Sequence, residues 1–367
     1  MLKGTLRALR FARSWVSGAS VEVEETTIER DGVTIPATLL LPPDRSGPLP
    51  GWIALSGVSR MGRWHPQLLR FAGALSMSGA AVLIPEIPEW RRLKVAPGPA
   101  APTIRGGLDV LHRRREVEPG EIGVIGFSFG APQVAIAAAR EELEPHIAGI
   151  VLFGGYYSLD RTLACMFTGR HEWGGVEHEF DPDPYGRWVL GANYLTCVEG
   201  CEDAGDVAHA LHRLASAASG DRVPAWDAHH DPMISELRAS LPERRRPLFD
   251  LFATPTGAER PEREACAAMA TRFAAACRRV EPLLEPGAHL REVRVPTQLI
   301  HGRGDRLIPF TECLRLDAGL SPDARKGRIV TGLFSHTADR SEGTLLARSW
   351  EKATFFQALR GLINTVA

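Results

Sequence analysis

Residues 121–130, EIGVIGFSFG, restrict what this chain can fold into more than any other stretch. An apolar run leads into Gly126-Phe127-Ser128-Phe129-Gly130 and continues as the alanine-rich APQVAIAAAREEL. That order reads as a buried strand, a tight turn with Ser128 at its apex, and a helix starting near Phe129. A strand that reverses this sharply into a helix leaves no room for side chains on either side of the apex residue. The flanking glycines therefore have a steric task, and Ser128 is expected in a strained backbone conformation with its Oγ exposed. The pattern G-x-S-x-G is weak by itself. At the end of an apolar strand and the start of a helix it fits the nucleophile elbow.

At 367 residues the chain can hold one large domain with an insertion, or two domains. Its 43 basic and 44 acidic residues leave a formal charge of −1, so no overall field favours nucleic acid or an acidic membrane surface. The six cysteines, Cys165, Cys197, Cys201, Cys266, Cys277 and Cys313, form no C-x-x-C pair and imply neither a zinc site nor a disulfide framework. Residues 1–20 place Leu2, Leu6, Leu9 and Trp15 near helical spacing, with Lys3, Arg7, Arg10 and Arg13 between them. This reads as a basic amphipathic helix that docks on its own domain, with the surface of a membrane as the alternative. It lacks the uninterrupted apolar core of a signal peptide, and nowhere does the chain approach the ~20 apolar residues of a membrane span. A cytoplasmic protein is the expectation.

Along the chain, Val21–Arg30 and Val33–Leu41 alternate apolar and polar positions around Asp31-Gly32, the signal for an antiparallel hairpin. Further strands are expected at Trp52–Leu55, Ala80–Ile84, Glu121–Phe127 and Ile147–Phe153, separated by helices at about Pro66–Ser78 and Thr103–Glu116 and by the elbow helix. This alternation predicts a mostly parallel sheet with helices on both faces. It stops at Gly154-Gly155 and resumes at Val295–His301, followed by a helix at Phe310–Ala318, a last strand at Gly327–Thr331 and a closing helix at Gly343–Leu362. The stretch between is too long for one structureless loop and carries helical patterns near Tyr185–Leu195, Asp206–Ala218, Pro232–Ala239 and Pro261–Val280. The expected organisation is a core of residues 1–154 and 291–367 with a mainly helical insertion at 155–290.

A serine hydroxyl is a poor nucleophile until a base takes its proton, and the base needs a third group to hold its ring. Asp305, in His301-Gly302-Arg303-Gly304-Asp305 past a strand end, is the best acid, with Asp160 the weaker alternative. His336, in Leu333-Phe334-Ser335-His336 after the final strand, is the best base. Each of the three then lies in a loop at the carboxyl edge of the sheet, where open α/β sheets bind ligands. Two N–H groups should meet the oxygen that becomes charged. Phe129 supplies one, and the turn Ser56-Gly57-Val58 the other, through Val58 or Gly57. His209 with His212, and Asp227 with His229, His230 and Asp231, have a superficial look of metal ligands, but helical polar faces and loops collect such residues without function. No metal and no cofactor are expected.

GFSFG, GRGD followed by Ile308-Pro309, and FSH together resemble the α/β-hydrolase superfamily over roughly Val21–Phe153 and Val295–Leu362. Within it, VIGFSFGA is similar to the elbow of dienelactone-hydrolase-like and prolyl-oligopeptidase-like esterases, although the former usually carry cysteine at the position of Ser128. Where the family's oxyanion segment often reads His-Gly, this chain has Ser56-Gly57. The resemblance implies an α/β-hydrolase fold with a cap over the site and an activity that needs no organic cofactor. Such members act as carboxylesterases, lipases, thioesterases, peptidases or C–C bond hydrolases, and fold does not choose among them.

The sequence thus leads to a serine hydrolase acting on a small-molecule carboxylic ester, with Ser128, His336 and Asp305 as its triad. Tyr156, Trp173, Trp188 and Trp226 are the candidate walls of its substrate pocket. A peptidase, amide hydrolase or thioesterase on the same triad is the alternative, and a non-enzymatic binding scaffold the third reading. Nucleic acid is not an expected partner, and a homodimer is compatible with the sequence.

Overall fold

The computed structural model describes residues 2–45, 47–221, 223–332 and 345–366. The chain opens with α1 (Leu2–Ser17), β1 (Glu22–Arg30), β2 (Val33–Leu41), β3 (Leu49–Leu55), α2 (Pro66–Met77), β4 (Ala81–Pro85) and the short α3 (Pro88–Arg91). It continues with α4 (Ala100–His112), β5 (Val117–Phe127), α5 (Gly130–Ala138) and β6 (Gly149–Phe153). An insertion follows: α6 (Leu159–Thr168), β7 (Arg170–Trp173), β8 (Val176–Glu179), α7 (Tyr185–Tyr194), α8 (Gly205–Asp221), α9 (Asp231–Ser240), α10 (Arg246–Asp250) and α11 (Arg263–Val280). The sheet is then completed by β9 (Thr297–Gly302), α12 (Phe310–Gly319), β10 (Arg325–Thr331) and α13 (Leu345–Asn364).

The main sheet has eight strands in the order β1-β2-β4-β3-β5-β6-β9-β10. The β1–β2 and β2–β4 pairs are antiparallel and every other pair is parallel. Arg30 pairs with Val33 across a two-residue turn whose Asp31 and Gly32 both have positive φ, 51° and 78°. That geometry matches the right-handed twist of the strands, which is why Asp-Gly marks the turn. The inner strands read as apolar runs because both of their faces are covered. Ile53 and Leu55 of β3 enter one core and Trp52 and Ala54 the other; Leu83 and Val82 of β4, Val124 and Ile125 of β5, and Leu152 and Val151 of β6 divide the same way. The first core is roofed by α4, α5 and α12 and is continuous with the interior of the insertion, and the second by α1, α2 and α13.

Helix α1 does dock on its own body. Ala8 and Phe11 are fully buried, and the Arg7 guanidinium donates to the carbonyls of Ser78 and Gly79. Among the described residues no helix is long and apolar enough to cross a membrane.

Two departures from the sequence reading have clear causes. The stretch Thr168–Pro184, which the sequence marks with no strand, contains the hairpin β7–β8, closed by Gly174-Gly175 with φ of 61° and 80°. Its strands, RHEW and VEHE, carry polar residues on both faces and so give no alternation to read. Strand β5 begins at Val117, which pairs with Leu49 of β3; the exposed Glu118, Pro119 and Gly120 fall in an irregularity before regular pairing resumes at Ile122 with Gly51.

Candidate active site

Chain order reverses at β3, which has β4 on one side and β5 on the other. The crevice at the carboxyl ends of β3 and β5 is therefore a topological switch point, where ligands of open α/β sheets bind. Ser128 follows β5 directly, and its φ of 52° lies in the left-handed region that side chains other than glycine's rarely occupy. The strain is held from both sides, since the Ser128 N–H donates to the Phe153 carbonyl at 2.8 Å and its own carbonyl accepts from Ala131 at 3.0 Å. A methyl group at Gly126 would collide with the Gly130 carbonyl, and one at Gly130 with the Ser56 carbonyl. These backbone approaches are what the two glycines permit.

The turn after β3 lies against the elbow. A Cβ at Gly57 would stand 3.1 Å from the Ser128 Cβ. Val58 and Phe129 line one cavity with Ser128. Phe129 is the N-cap of α5, where an N–H has no preceding turn to donate to, and among the described residues neither its amide nor that of Val58 donates to a protein group. Two residues with uncommitted backbone N–H groups thus line the same cavity as the Ser128 hydroxyl.

Asp305 lies just beyond β9 and is buried. Its Oδ1 accepts from the N–H groups of Leu307 at 2.9 Å and Ile308 at 3.0 Å, which fixes the carboxylate. Its Oδ2 is 3.4 Å from Nε2 of His301, which also donates to the Ile308 carbonyl at 2.9 Å. Burial alone would lower the pKa of His301, yet hydrogen bonding and charge from Asp305 and Cys313 outweigh it and raise the pKa from 6.5 to about 10. Nδ1 of His301 has no partner of normal hydrogen-bond geometry among the described residues, although Cys313 adds to the upward shift. The alternative acid, Asp160, is exposed in the first turn of α6 and ion-paired with Arg278. His336 lies outside the described residues.

The cavity above Ser128 has a volume of about 80 Å³ and walls of Val95, Leu159, Met166, Val189, Leu190, Leu284, Leu307 and Ile308. Its other hydroxyls already donate: Thr162 to Ser158 at 2.8 Å, Tyr156 to Leu284 at 3.0 Å, and Tyr185 to Val58 at 3.1 Å. Tyr156 is the one aromatic expected from sequence that lines this space. The three tryptophans are placed elsewhere. Trp188 is fully buried inside the insertion, with Nε1 donating to the Phe252 carbonyl at 3.0 Å. Trp173 packs under Arg315 and Trp226 under Arg306 as cation–π partners. Sequence reasoning missed Tyr185, whose position at a helix start resembled ordinary packing. The Asp227–Asp231 cluster forms a local turn in which Asp227 Oδ1 accepts from the His229 N–H at 2.8 Å.

A strained serine between a buried parallel strand and a helix, at the switch point of an eight-stranded sheet in this order, is the elbow of the α/β-hydrolase fold. No family model and no curated protein matches the chain. Solved structures similar to it are α/β-hydrolases. They include 2,6-dihydroxy-pseudo-oxynicotine hydrolase, 15% identical with a TM-score of 0.48, matched over 98% of this chain and 72% of its own. Est1E of Butyrivibrio proteoclasticus is 13% identical with a TM-score of 0.47, over 92% and 98%. An acylaminoacyl peptidase of Pyrococcus horikoshii is 11% identical with a TM-score of 0.49, over 94% of this chain and only 43% of its own. The fold assignment rests on this chain's own strand order and elbow.

Proposed function

We propose that this protein is a serine hydrolase that cleaves carboxylic esters through an acyl-enzyme on Ser128. The observation that carries the reading is the left-handed Ser128, held at the mouth of an apolar cavity beside the amides of Phe129 and Val58. His336 takes the proton as Ser128 Oγ adds to the ester carbonyl, and Asp305 holds the imidazole in the required tautomer. The amides of Phe129 and Val58 receive the oxyanion. His336 then returns the proton to the leaving alcohol, and water regenerates the serine by the same steps in reverse.

The insertion, taken as residues 155–290, acts as a cap that supplies most of the cavity's apolar wall. The cavity's walls are mostly apolar and its other hydroxyls are committed as donors, so the group it best accepts is a mainly apolar acyl or alcohol chain. The experiment is fluorophosphonate labelling followed by turnover of p-nitrophenyl esters and aminoacyl p-nitroanilides. Wild-type protein should label and favour the esters. Ser128→Ala should fold, fail to label, and lose turnover by ~10⁴-fold or more. An unlabelled wild-type protein, or turnover retained by the variant, would remove Ser128 as nucleophile. A preference for anilides would make the protein an amide hydrolase.

A further inference from the structure

The turn that follows β3 is held from two sides: Arg91 of α3 donates to the Arg60 carbonyl at 3.3 Å, and the insertion supplies further hydrogen bonds. The Tyr185 hydroxyl, at the start of α7, donates to the Val58 carbonyl at 3.1 Å. Ser219, in α8, accepts from the Arg60 N–H at 2.8 Å, and its hydroxyl lies 3.3 Å from that of Ser59. Two separate helices of the insertion therefore grip Val58, Ser59 and Arg60. On the opposite side the turn abuts the elbow at Gly57.

The start of α7 is itself tied to the loop that carries Asp305. The Asp183 N–H donates to the Arg306 carbonyl at 2.8 Å, Asp183 Oδ1 accepts from the Tyr185 N–H at 2.9 Å, and the Arg306 guanidinium pairs with Asp181. Residues 181–185 thus form a strut between the acid loop and the turn after β3.

We infer that Tyr185, supported by Ser219, is a positioning residue for the second oxyanion donor, so that the insertion completes the catalytic geometry besides shaping the pocket. The inference rests on the hydrolase reading above. An oxyanion donor works only if its N–H is aimed before charge develops, and a loose turn would have to be ordered at that moment. Pinning the Val58 carbonyl restrains the backbone of the residue that the reading above takes as the second donor. Tyr185 suits this because its ring lines the cavity while its hydroxyl reaches past the substrate space to the backbone.

The test uses the full chain with Tyr185→Phe, which keeps the ring and removes only the hydroxyl, alongside Ser219→Ala and the exposed control His209→Ala. Active sites are titrated with a fluorophosphonate so that turnover is expressed per competent serine. For p-nitrophenyl acetate, Tyr185→Phe should lower kcat per site about 10- to 100-fold with KM within about twofold, the size expected for a misaimed donor. Affinity for a trifluoromethyl ketone, which forms a charged tetrahedral adduct on the serine, should fall by the same factor. Ser219→Ala should shift both quantities in the same direction, and His209→Ala neither. A merely structural role would reduce the number of titratable sites and leave kcat per site unchanged, and that result would overturn the inference, as would a change confined to KM. If Tyr185→Phe yields no folded protein, Ser219→Ala decides on the same readouts. Wild-type protein that neither labels nor turns over would instead remove the hydrolase reading, and this inference with it.

Discussion

Ser128 holds a backbone conformation that costs of order 1–3 kcal/mol, and it persists because Phe153 and Ala131 bond its peptide groups while Gly126 and Gly130 clear the space around it. All of this lies within a few residues of one turn, which is why the elbow could be read from sequence. The place of Asp305 beyond a strand end was legible for a similar reason, since an apolar run followed by Gly-Asp is a local signal. The pairing of His301 with Asp305 was not, because a histidine inside an apolar strand reads equally well as packing. That pairing gives a pH prediction. The pKa of His301 is raised in the fold, so the stability its protonated ring contributes is fully present below about pH 6.5 and lost as pH rises through about 10. The melting-temperature gap between wild type and His301→Gln should therefore be widest at and below pH 6.5 and shrink toward pH 10. A gap that stays constant with pH would show that the ring is neutral throughout.

At the scale of elements, the exit from β6 shows how the insertion is attached. Helix α6 has no side-chain cap of its own. Its approach is served by Glu312 Oε2, which accepts from the N–H groups of Tyr157 and Ser158 at 2.9 Å each, and by Glu285 Oε2, which accepts from Leu159 at 3.0 Å. Carboxylates at a helix start satisfy its orphan donors and complement its dipole. Burial raises the pKa of both groups, which marks the cost of holding them there. Glu312→Ala should lower the melting temperature and loosen α6, seen as faster amide exchange at residues 157–160; unchanged exchange there would assign the anchoring elsewhere. No sequence pattern could expose this contact, because its partners come from remote parts of the chain. Helices α7, α8, α9 and α11 were legible from periodicity, but which of their aromatics faced the cavity was not: periodicity gives a buried face without saying whether a core or a pocket lies behind it. Trp188 belongs to the core. Trp188→Ala should cost ~3–5 kcal/mol and reduce kcat/KM for short and long acyl esters alike. A selective loss on the long ester would return Trp188 to the pocket.

Over the whole molecule, the strand–helix alternation fixed the fold class in advance, since strands covered on both faces must be apolar along their length. Strand order was beyond the sequence, although it decides that the turn after β3 and the elbow after β5 meet. The same sheet explains a different behaviour of the chain, its assembly. The core on the second face joins Ala8 and Phe11 of α1 to Ala358, Leu359, Leu362 and Ile363 of α13. Gly123 and Gly149, in the central strands, have no space for a side chain because Val366 and Thr365 lie against them. Helix α1 thus settles on a surface that α13, from the far end of the described chain, helps to build, and the strands around Gly123 and Gly149 stay uncovered on this face until α13 is in place. Any folding intermediate that lacks α13 therefore leaves apolar residues of α1 and of these strands open to contact with other chains.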